Sequence, residues 1–471
     1  MTSSTPSAGD RLRAIVKAYD VRGLVGDQFT EAAARALGIA FARLLSGEAR
    51  SVVVAYDMRD SSPALAAAFA DGVASQGLDV LDAGLASTDL LYFAAGSLDM
   101  PGAMFTASHN PAAYNGIKFC RAGAVPVSSE TGLMQVRDEA GAILDGDLVP
   151  DPAATPGTIT QRSMVADYAA FLLSLVDLSG IRPLKVVVDA GNGMAGLTVP
   201  VVFADLPVEI VPMYFELDGT FPNHEANPLD PKNLVDLQAK LRELRAAGQG
   251  ADIGLAFDGD ADRCFVVDEK GDPVSPSSIT ALVAERELGR KPGSTILYNL
   301  ISSAAVPEII VENGGVPVRT RVGHSFIKAE MARTGAVFGG EHSAHYYFED
   351  FYKADTGMLA ALHVLAALGS AAAADTPLSG LVAGYQRYVA SGEINSTVGD
   401  VPAKLAAIEE WAAAHDGTVD HLDGVTVTLP SHDWFNVRAS NTEPLLRLNV
   451  EAATDERMVA LRDELLGLIR G

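Results

Sequence analysis

The sequence predicts an α/β protein in which three mixed α/β domains precede a C-terminal α+β domain. Short runs rich in Val and Ile recur along the chain, and a polar turn and a helix-like segment follow each of them. Several runs end directly in an aspartate, a pattern typical of α/β domains that bind ligands at the carboxyl ends of their strands. The length of 471 residues suggests about three domains at roughly 150 residues each, with two to five allowed.

The predicted buried strands share a continuous apolar run. They are Ser51–Tyr56, 185–188, Ile253–Phe257 and 295–298. Asp57, Asp189 and Asp258 stand directly after the first three. We interpret this repeated pattern as α/β units of one general type.

The tail of the chain has a different pattern. Alternating apolar and polar residues predict antiparallel strands at 424–429, 434–437 and 445–450. Helical periodicity runs over 455–469, so the last domain is predicted to be α+β. Linker-like composition marks the stretches 145–159, 271–278 and 371–377. The predicted domains are 1–155, 156–272, 273–376 and 377–471.

The most apolar stretch, 358–374, is shorter than the roughly 20 residues that a membrane helix needs, and His363 and Gly369 interrupt it. It predicts a buried helix with Asp355 or Thr356 as its cap. The polar start lacks the apolar core of a signal peptide, and the two cysteines cannot form a disulfide scaffold. We therefore expect a cytoplasmic protein.

The net charge of −25 argues against duplex nucleic acid or an anionic membrane as a partner, because both need a basic surface. A small anionic substrate is still compatible with this charge. A local basic pocket acts within a Debye length of roughly 8 Å, so the charge of the rest of the surface does not prevent binding there.

The segment Thr106-Ala-Ser-His-Asn-Pro111 follows an apolar run and predicts a tight turn. Ser108 in this turn is either a phosphate carrier or nucleophile, or a serine that bonds its own loop backbone. Lys118 places a cation close in sequence. The Gly-x-Ser-x-Gly elbow of hydrolases is absent from this segment.

Three carboxylates follow the strand Ile253–Phe257 at alternate positions, namely Asp258, Asp260 and Asp262. They would repel one another unless a hard cation lies among them, which favours Mg²⁺ with open positions for phosphate oxygens. An EF-hand with Glu269 at its twelfth position fails, because Arg263 stands where that loop needs glycine. A solvated acidic loop is the remaining alternative.

Three further loops carry candidate binding residues. In Gly339-Gly-Glu-His-Ser-Ala-His345, Glu341 has acceptors for two sugar hydroxyls, and His345 can move a proton. Arg438 opens a loop whose guanidinium, hydroxyls and amide suit a phosphate dianion, and His324 is a weaker candidate for such a contact. A glycine-ended turn at 17–23 adds Lys17 and Arg22. A plain surface loop at 339–345 and a capped hairpin turn at 438–444 are the alternatives.

Taken together and in this order, these loops resemble the α-D-phosphohexomutase superfamily, over nearly the whole chain. The resemblance implies four domains, with a serine loop, a metal loop, a sugar loop and a phosphate loop in turn. It implies that Ser108 is a phosphoserine that holds one Mg²⁺ together with Asp258, Asp260 and Asp262. Sugar hydroxyls would contact Glu341 and Ser343. The non-reacting phosphate would lie against Arg438, Ser440, Asn441 and Thr442. Positions near the phosphates or the proton transfers would be Tyr19, Arg22, His109, Lys118, Arg263, His324 and His345.

The sugar loop points to one branch of this superfamily. Its Gly-Glu-x-Ser-x-His form is similar to bacterial phosphomannomutase/phosphoglucomutase, whereas phosphoglucosamine mutases usually carry Gln where this chain has His342. Two departures affect the sugar preference. Ala344 replaces the usual second glycine, and Asn299 and Leu300 stand where many relatives have a lysine.

The branch implies reversible interconversion of hexose 6-phosphate and hexose 1-phosphate, on mannose and also glucose. It also implies a hexose 1,6-bisphosphate as intermediate and activator, and a monomer or homodimer. Phosphoglucosamine mutase is one alternative. A haloacid-dehalogenase-type sugar phosphatase, with Asp258 as nucleophile, is another, although Asp262 departs from its motif. A non-catalytic sugar-phosphate binding protein is the third.

Overall fold

A computed structural model describes residues 6–373, 375–439 and 445–471, apart from the side chains of residues 324 and 325. The chain divides into two compact units. The first unit comprises Met1–Val274 and Ser343–Ser379, and the second unit comprises Ser275–His342 and Gly380–Gly471. Within the described residues, no helix combines the length and the apolar character needed to cross a membrane. The four domain boundaries given above stay predictions.

The first unit begins with a mixed sheet. Its strands are β1 (Val21–Leu24), β2 (Ser51–Tyr56), β3 (Asp79–Leu85), β4 (Gly102–Phe105), β5 (Tyr114–Arg121), β6 (Val125–Pro126) and β7 (Ile159–Gln161). The accompanying helices are α1 (Ala8–Ile15), α2 (Glu31–Leu44), α3 (Ser62–Ser75), α4 (Thr88–Ser97) and α5 (Leu133–Asp145). The strand order is β1-β5-β4-β2-β3-β7, with β6 paired to β5. Because β2 and β4 are parallel, the turns that follow them lie at one edge of the sheet.

A phenylalanine cluster fills the core on this sheet. Phe69 of α3 contacts Phe41 of α2, Phe105 of β4 and Phe119 of β5, and Phe41 also contacts Phe119, with ring centroids 4.8 to 6.1 Å apart. Side chains of this size bury much apolar area, so α2, α3 and the end of β4 are held firmly in place. The turn after β4, which contains Ser108, therefore starts from a fixed strand.

The second sheet of the first unit has the order β12-β11-β10-β8-β9. Its strands are β8 (Leu184–Asp189), β9 (Val208–Met213), β10 (Ile253–Phe257), β11 (Cys264–Asp268) and β12 (Pro273–Val274). The accompanying helices are α6 (Val165–Leu175), α7 (Ala195–Val202) and α8 (Val235–Ala246). The expectation that a helix follows every buried strand is wrong for β10, because the next element is the antiparallel strand β11. The acidic segment is thus a short hairpin turn between two fully buried strands.

The second unit begins with a small parallel sheet, in which β13 lies between β14 and β15. Its elements are α9 (Pro276–Arg290), β13 (Thr295–Asn299), α10 (Ala305–Glu312), β14 (Val316–Thr320), α11 (His324–Thr334) and β15 (Phe338–Gly340).

The chain then contributes a segment to the first unit, with β16 (Tyr346–Phe348), β17 (Ala354–Asp355) and α12 (Gly357–Gly369). Thr356 caps α12 by accepting the backbone N–H of Leu359, as one of the two predicted caps. The predicted extent of 358–374 is wrong at its end. The helix stops at Gly369 because Ser370 is extended, and the Ser370 hydroxyl donates to the carbonyl of Ala367.

The second unit closes with an antiparallel sheet in the order β18-β23-β22-β21-β20, with β19 also paired to β23. Its strands are β18 (Val389–Ala390), β19 (Ile394–Thr397), β20 (Thr418–Asp420), β21 (Val425–Thr428), β22 (Trp434–Ala439) and β23 (Leu445–Ala452). Its helices are α14 (Val401–Ala414) and α15 (Asp455–Arg470). The short helix α13 (Leu378–Val382) contains the point at which the chain passes from the first unit to the second. The sheet buries Phe435, Leu448 and Leu465 of α15 in one core, so the α+β prediction for the tail is confirmed.

Candidate active site

Ser108 is the buried centre of the site in the first unit. It follows β4 and has a positive φ of 49°, a conformation that is unusual for a residue with a side chain. Its hydroxyl donates to Asp258 Oδ2 at 2.9 Å and lies 3.2 Å from His109 Nδ1. Its backbone N–H donates to Thr106 Oγ1 at 2.9 Å. The hydroxyl thus contacts other side chains rather than its own loop backbone, which favours the phosphate-carrier interpretation.

Arg59 holds the Ser108 loop in shape, and the sequence analysis missed it. The guanidinium is 1% exposed and donates to Asp57 Oδ2 at 3.2 Å. It also donates to a set of loop carbonyls at 2.7 to 3.0 Å, those of Ser108, Asn110, Pro111 and Tyr114. Burial raises the pKa of Asp57, and the charge of Arg59 opposes that rise. The signal in the sequence was Asp57 at the end of β2 with an arginine two residues later.

Asp258, Asp260 and Asp262 lie together in the buried turn between β10 and β11. One oxygen of each carboxylate lies within 4.8 Å of the others. Gly259 between them has no room for a side chain, because a Cβ would lie 2.5 Å from the Ser108 carbonyl oxygen. The metal loop and the serine loop therefore touch through their backbones, and the solvated-loop alternative does not describe this turn.

Lys118 of β5 compensates part of this acidic charge. Its ammonium donates to Asp260 Oδ2 at 2.7 Å and to Asp262 Oδ2 at 2.6 Å, and Thr88 Oγ1 donates to Asp260 Oδ2 at 2.6 Å. The other oxygens, Asp260 Oδ1 and Asp262 Oδ1, are buried and have no hydrogen-bond partner in the described part of the chain. Buried carboxylate oxygens without a donor are costly, and hard oxygen ligands of this kind suit Mg²⁺. These residues therefore fit the cation that the sequence predicts.

The pKa values in the acidic turn reflect burial and then charge. Burial raises the pKa of Asp258 to about 8, while Arg263 lowers it and the two neighbouring carboxylates raise it. Burial also opposes ionisation of Asp260, but Lys118 brings the pKa of that carboxyl far below its usual range. Burial works against the charge of Lys118 too, yet Asp260 and Asp262 raise its pKa well above the usual range. Lys118 is therefore a fixed cation at neutral pH.

Arg263 joins the serine and metal loops. Its Nε donates to Asp258 Oδ2 at 2.8 Å, and its Nη2 lies 3.3 Å from Ser108 Oγ and 2.5 Å from His109 Nδ1. Burial lowers the pKa of His109 to about 2, with Arg263 and Arg22 adding to the effect. The imidazole is thus neutral, and Nδ1 accepts from Arg263.

The turn at 17–23 reaches the same loop through Arg22. The Arg22 guanidinium pairs with Asp20 at 2.8 Å and donates to Asn110 Oδ1 at 2.7 Å. Tyr19 stands half-buried beside Asp20, whereas Lys17 is exposed and donates to the carbonyl of Ala14. Arg22 is therefore joined to the serine loop, and Lys17 bonds to the end of α1.

His345 and Ser343 also lie in the first unit. Ser343 Oγ is 2.9 Å from His345 Nδ1, and His345 Nε2 is 3.8 Å from Asp262 Oδ1. Ala344 between them is buried and has a φ of 63°, in the region that favours glycine. The departure at Ala344 therefore keeps the glycine-like backbone conformation.

Glu341 lies in the second unit and is 1% exposed. Its Oε1 accepts from the backbone N–H of Gly323 at 3.2 Å and lies 3.5 Å from Asn299 Nδ2. Asn299, one of the two departures, thus contacts the glutamate of the predicted sugar loop. His324 opens α11, and its side chain is outside the described part of the structure.

Arg438 stands near the end of β22 in the second unit. Its Nη2 donates to Glu393 Oε2 at 2.7 Å. Ser440, Asn441 and Thr442, the predicted partners of Arg438, lie outside the described residues.

A buried serine beside three carboxylates, two of them with an unpaired oxygen among the described residues, and beside fixed cations suits phosphoryl transfer. Comparison with known proteins agrees with this class. Models of the phosphoglucomutase/phosphomannomutase alpha/beta/alpha domains I, II and III match residues 13–140, 166–271 and 275–388, and the model of the C-terminal domain matches 393–468. The chain belongs to the phosphoglucomutase/phosphomannomutase family.

Individual relatives match over nearly their whole length. A protein named "Phosphohexose mutases" from Xanthomonas campestris pv. campestris is 40% identical over 97% of this chain and 99% of its own. A phosphomannomutase from Salmonella montevideo is 39% identical over 96% and 98%. The crystal structure of a phosphoglucomutase/phosphomannomutase family protein from Burkholderia thailandensis superposes with a TM-score of 0.85 at 33% identity, covering 97% of both chains. The four family models, matched in order along the chain, confirm the prediction of four domains.

Proposed function

We propose that this protein is a phosphohexomutase that interconverts hexose 6-phosphates and hexose 1-phosphates, acting on mannose and also on glucose. It is an isomerase whose substrates are hexose phosphates. Relatives with names of this activity, at about 40% identity over almost the full chain, support the assignment. The form of the sugar loop supports mannose and glucose over glucosamine.

The contact between Ser108 Oγ and Asp258 carries the proposal. A serine hydroxyl 2.9 Å from a carboxylate suits a phosphoryl carrier beside a cation site, because two buried carboxylate oxygens nearby have no partner among the described residues. The haloacid-dehalogenase alternative needs Asp258 free as nucleophile. In this structure both Arg263 and Ser108 donate to the same oxygen, Asp258 Oδ2, which leaves that role without support.

In the proposed reaction, phospho-Ser108 gives its phosphoryl group to the free hydroxyl of a hexose monophosphate. The resulting 1,6-bisphosphate turns around, and its other phosphate reloads Ser108. Positioning and electrostatics dominate such transfers. Arg263 beside Ser108 Oγ offsets charge on the moving group, and Arg22 orders the loop through Asn110. His109 accepts from Arg263 and thereby fixes its direction.

Mg²⁺ would be held by Ser108 once phosphorylated, and by Asp258, Asp260 and Asp262. When bound, it supplies positive charge to the phosphate oxygens. Lys118 stabilises the acidic turn by donating to Asp260 Oδ2 and Asp262 Oδ2. The Oδ1 atoms of these two residues are thus left for the metal. His345, 3.8 Å from Asp262 and hydrogen-bonded to Ser343, is positioned to move a proton on the sugar side.

The remaining roles follow the resemblance. Glu341 and Ser343 would bind sugar hydroxyls, and Asn299 would orient Glu341. The phosphate that does not react would lie against Arg438, Ser440, Asn441 and Thr442. Further phosphate contacts would come from Tyr19 and His324. A cytoplasmic location and a monomeric or dimeric state remain predictions from the sequence.

The test is a coupled assay with mannose, glucose and glucosamine 1-phosphates, with and without the matching 1,6-bisphosphate. We expect turnover of mannose 1-phosphate and glucose 1-phosphate that depends on the bisphosphate, without release of inorganic phosphate. Ser108→Ala should lose this activity. Faster turnover of glucosamine phosphate would transfer the assignment to the phosphoglucosamine branch. Stoichiometric phosphate release would contradict a mutase.

A further inference from the structure

Two arginines face each other at the predicted phosphate clamp of the second unit. Arg438 on β22 and Arg447 on β23 are direct partners in the antiparallel register. Like charges directly opposite each other destabilise a sheet. The Arg438 side chain is only 12% exposed and that of Arg447 is 34% exposed, so solvent screens this repulsion only in part. An anion bound between the two guanidiniums would relieve this repulsion.

Glu393 supplies that anion inside the protein. It stands directly before β19, whose Ile394 pairs with Leu448 of β23. Its Oε2 accepts from Arg438 Nη2 at 2.7 Å, and its Oε1 accepts from Arg447 Nη1 at 3.2 Å. One carboxylate therefore bonds to both guanidiniums. The two arginines and Glu393 together carry one net positive charge.

The carboxylate satisfies the two arginines only in part. Among the residues that the structure describes, Arg438 Nε and Arg447 Nε are buried without a hydrogen-bond partner. Buried donors without acceptors are unfavourable, and a phosphate offers more oxygens and more charge than a carboxylate. Glu393 thus makes the same kind of contact as a phosphate, but less completely.

We propose that Glu393 is an internal competitor for the phosphate clamp, which weakens the hold of Arg438 on the substrate phosphate. The inference rests on the proposed function, in which Arg438 binds the non-reacting phosphate. A mutase must release and rebind its bisphosphate in the opposite orientation. Binding the phosphate equally tightly throughout the cycle adds nothing to the rate and slows this turning step. A carboxylate that re-forms its bonds with the arginines as the phosphate leaves makes release easier.

Glu393→Gln tests this, because the amide keeps the shape of the side chain and removes its charge. Titration calorimetry with inorganic phosphate on the full-length protein should show binding about five- to tenfold tighter than wild type. The KM for mannose 1-phosphate should fall in proportion, and kcat should fall as well. Glu410→Gln, on an exposed position of α14, removes the same charge and should match wild type in all three quantities. The gain in phosphate affinity should vanish in the Arg438→Ala background.

Two other outcomes would distinguish a failure of the role proposed for Glu393 from a failure of the role proposed for Arg438. If Arg438→Ala weakens phosphate binding and Glu393→Gln also weakens it or leaves it unchanged, Glu393 only aligns the clamp. The competitor role is then overturned and the proposed function stands. If Arg438→Ala changes neither phosphate affinity nor KM, the clamp assignment fails, and the role of Glu393 fails with it.

Discussion

The serine site of the first unit and the phosphate clamp of the second unit both suit phosphate, but they are built differently. Around Ser108, Arg59, Arg263 and the three aspartates of the acidic turn are buried. Arg59 by itself makes four bonds to loop carbonyls. At the clamp, Arg447 and Glu393 are about one-third exposed. One glutamate there bonds to two arginines whose Nε atoms have no partner within 6–373, 375–439 and 445–471.

This difference matches two tasks. Phosphoryl transfer needs the reacting oxygen within a few tenths of an ångström of its proper place, which favours a buried loop fixed by many bonds. A clamp that holds and then releases a phosphate needs positive charge that is bonded either to the phosphate or to a group of the protein. We therefore expect variants at the serine site to lower kcat, and variants at the clamp to change KM.

Asp260→Asn should have the largest effect. The variant should lose at least about a thousandfold in kcat, because a neutral amide is a poorer ligand for a hard cation and a poorer partner for Lys118. Titration with Mg²⁺ should show much weaker binding. The melting temperature should fall, because the variant breaks the buried ion pair between Asp260 and Lys118. Unchanged Mg²⁺ affinity would remove Asp260 from the site.

Arg59→Lys should come next, with a loss of roughly a hundredfold in kcat and little change in KM. Lysine cannot reach four carbonyls from one planar group, so the Ser108 loop should shift, and displacement by about 1 Å can cost this much. Arg137→Lys on α5, whose partner is the adjacent Asp138, is the matched control and should behave as wild type. Wild-type kcat in Arg59→Lys would show that the loop holds its own shape.

Arg438→Ala should mainly raise KM, by about 10- to 100-fold, since a charge-assisted bond to phosphate contributes about 1.5–3 kcal/mol. Arg438→Lys should recover part of the loss, because lysine keeps the charge but not the fork. Steady-state kinetics in both directions decide the matter. A loss confined to one direction, after correction for the equilibrium, is incompatible with one clamp for both isomers.

The sequence predicted most of the fold and the residue types of the site, for physical reasons that particular residues show. The strands Ser51–Tyr56 and Ile253–Phe257 have the predicted bounds. Each is a continuous apolar run followed by an aspartate, so the end of the strand is marked in the sequence. Asp258, Asp260 and Asp262 were predicted because adjacent like charges need a common cation.

The supports of the site escaped prediction because their partners are distant in sequence. Arg59 bonds to Ser108 and Asn110, about fifty residues later, and Thr88 bonds to Asp260, 172 residues away. Glu393 resembles any surface glutamate until the pairing of β19 with β23 places it beside Arg438 and Arg447. Pattern and spacing indicate which residues can react, and only the fold shows which residues hold them.

The smallest expected effect concerns His224, whose loop packs against Arg59 beside the serine site. Its Nε2 is 2.9 Å from Asp189 Oδ2, and Phe221 in the same loop places its ring over Arg59 at 5.2 Å. Burial lowers the pKa of His224, but the bond to Asp189 outweighs burial and raises the pKa above its usual value. A raised folded pKa stabilises the protein below about pH 6.5, and the gain disappears as the pH rises through the folded pKa.

His224→Gln should therefore lower Tm by about 2 to 4 °C at pH 6, for a loss near 1 kcal/mol, and by less at pH 9. Thermal melts of both proteins at the two pH values measure the difference. His421→Gln, on an exposed histidine of the second unit, is the control and should show a smaller shift. A larger Tm loss at pH 9 than at pH 6 would contradict the sign of this argument.

The central claim is that Ser108 carries the phosphoryl group, and peptide mass spectrometry tests it most directly. After treatment with mannose 1,6-bisphosphate or glucose 1,6-bisphosphate, the intact protein should gain one phosphoryl group, and fragmentation should place it on Ser108. Ser108→Ala should fold, bind Mg²⁺ weakly and gain no phosphoryl group. A phosphoryl group on Asp258 in the wild-type protein, or continued phosphorylation of Ser108→Ala, would contradict the account.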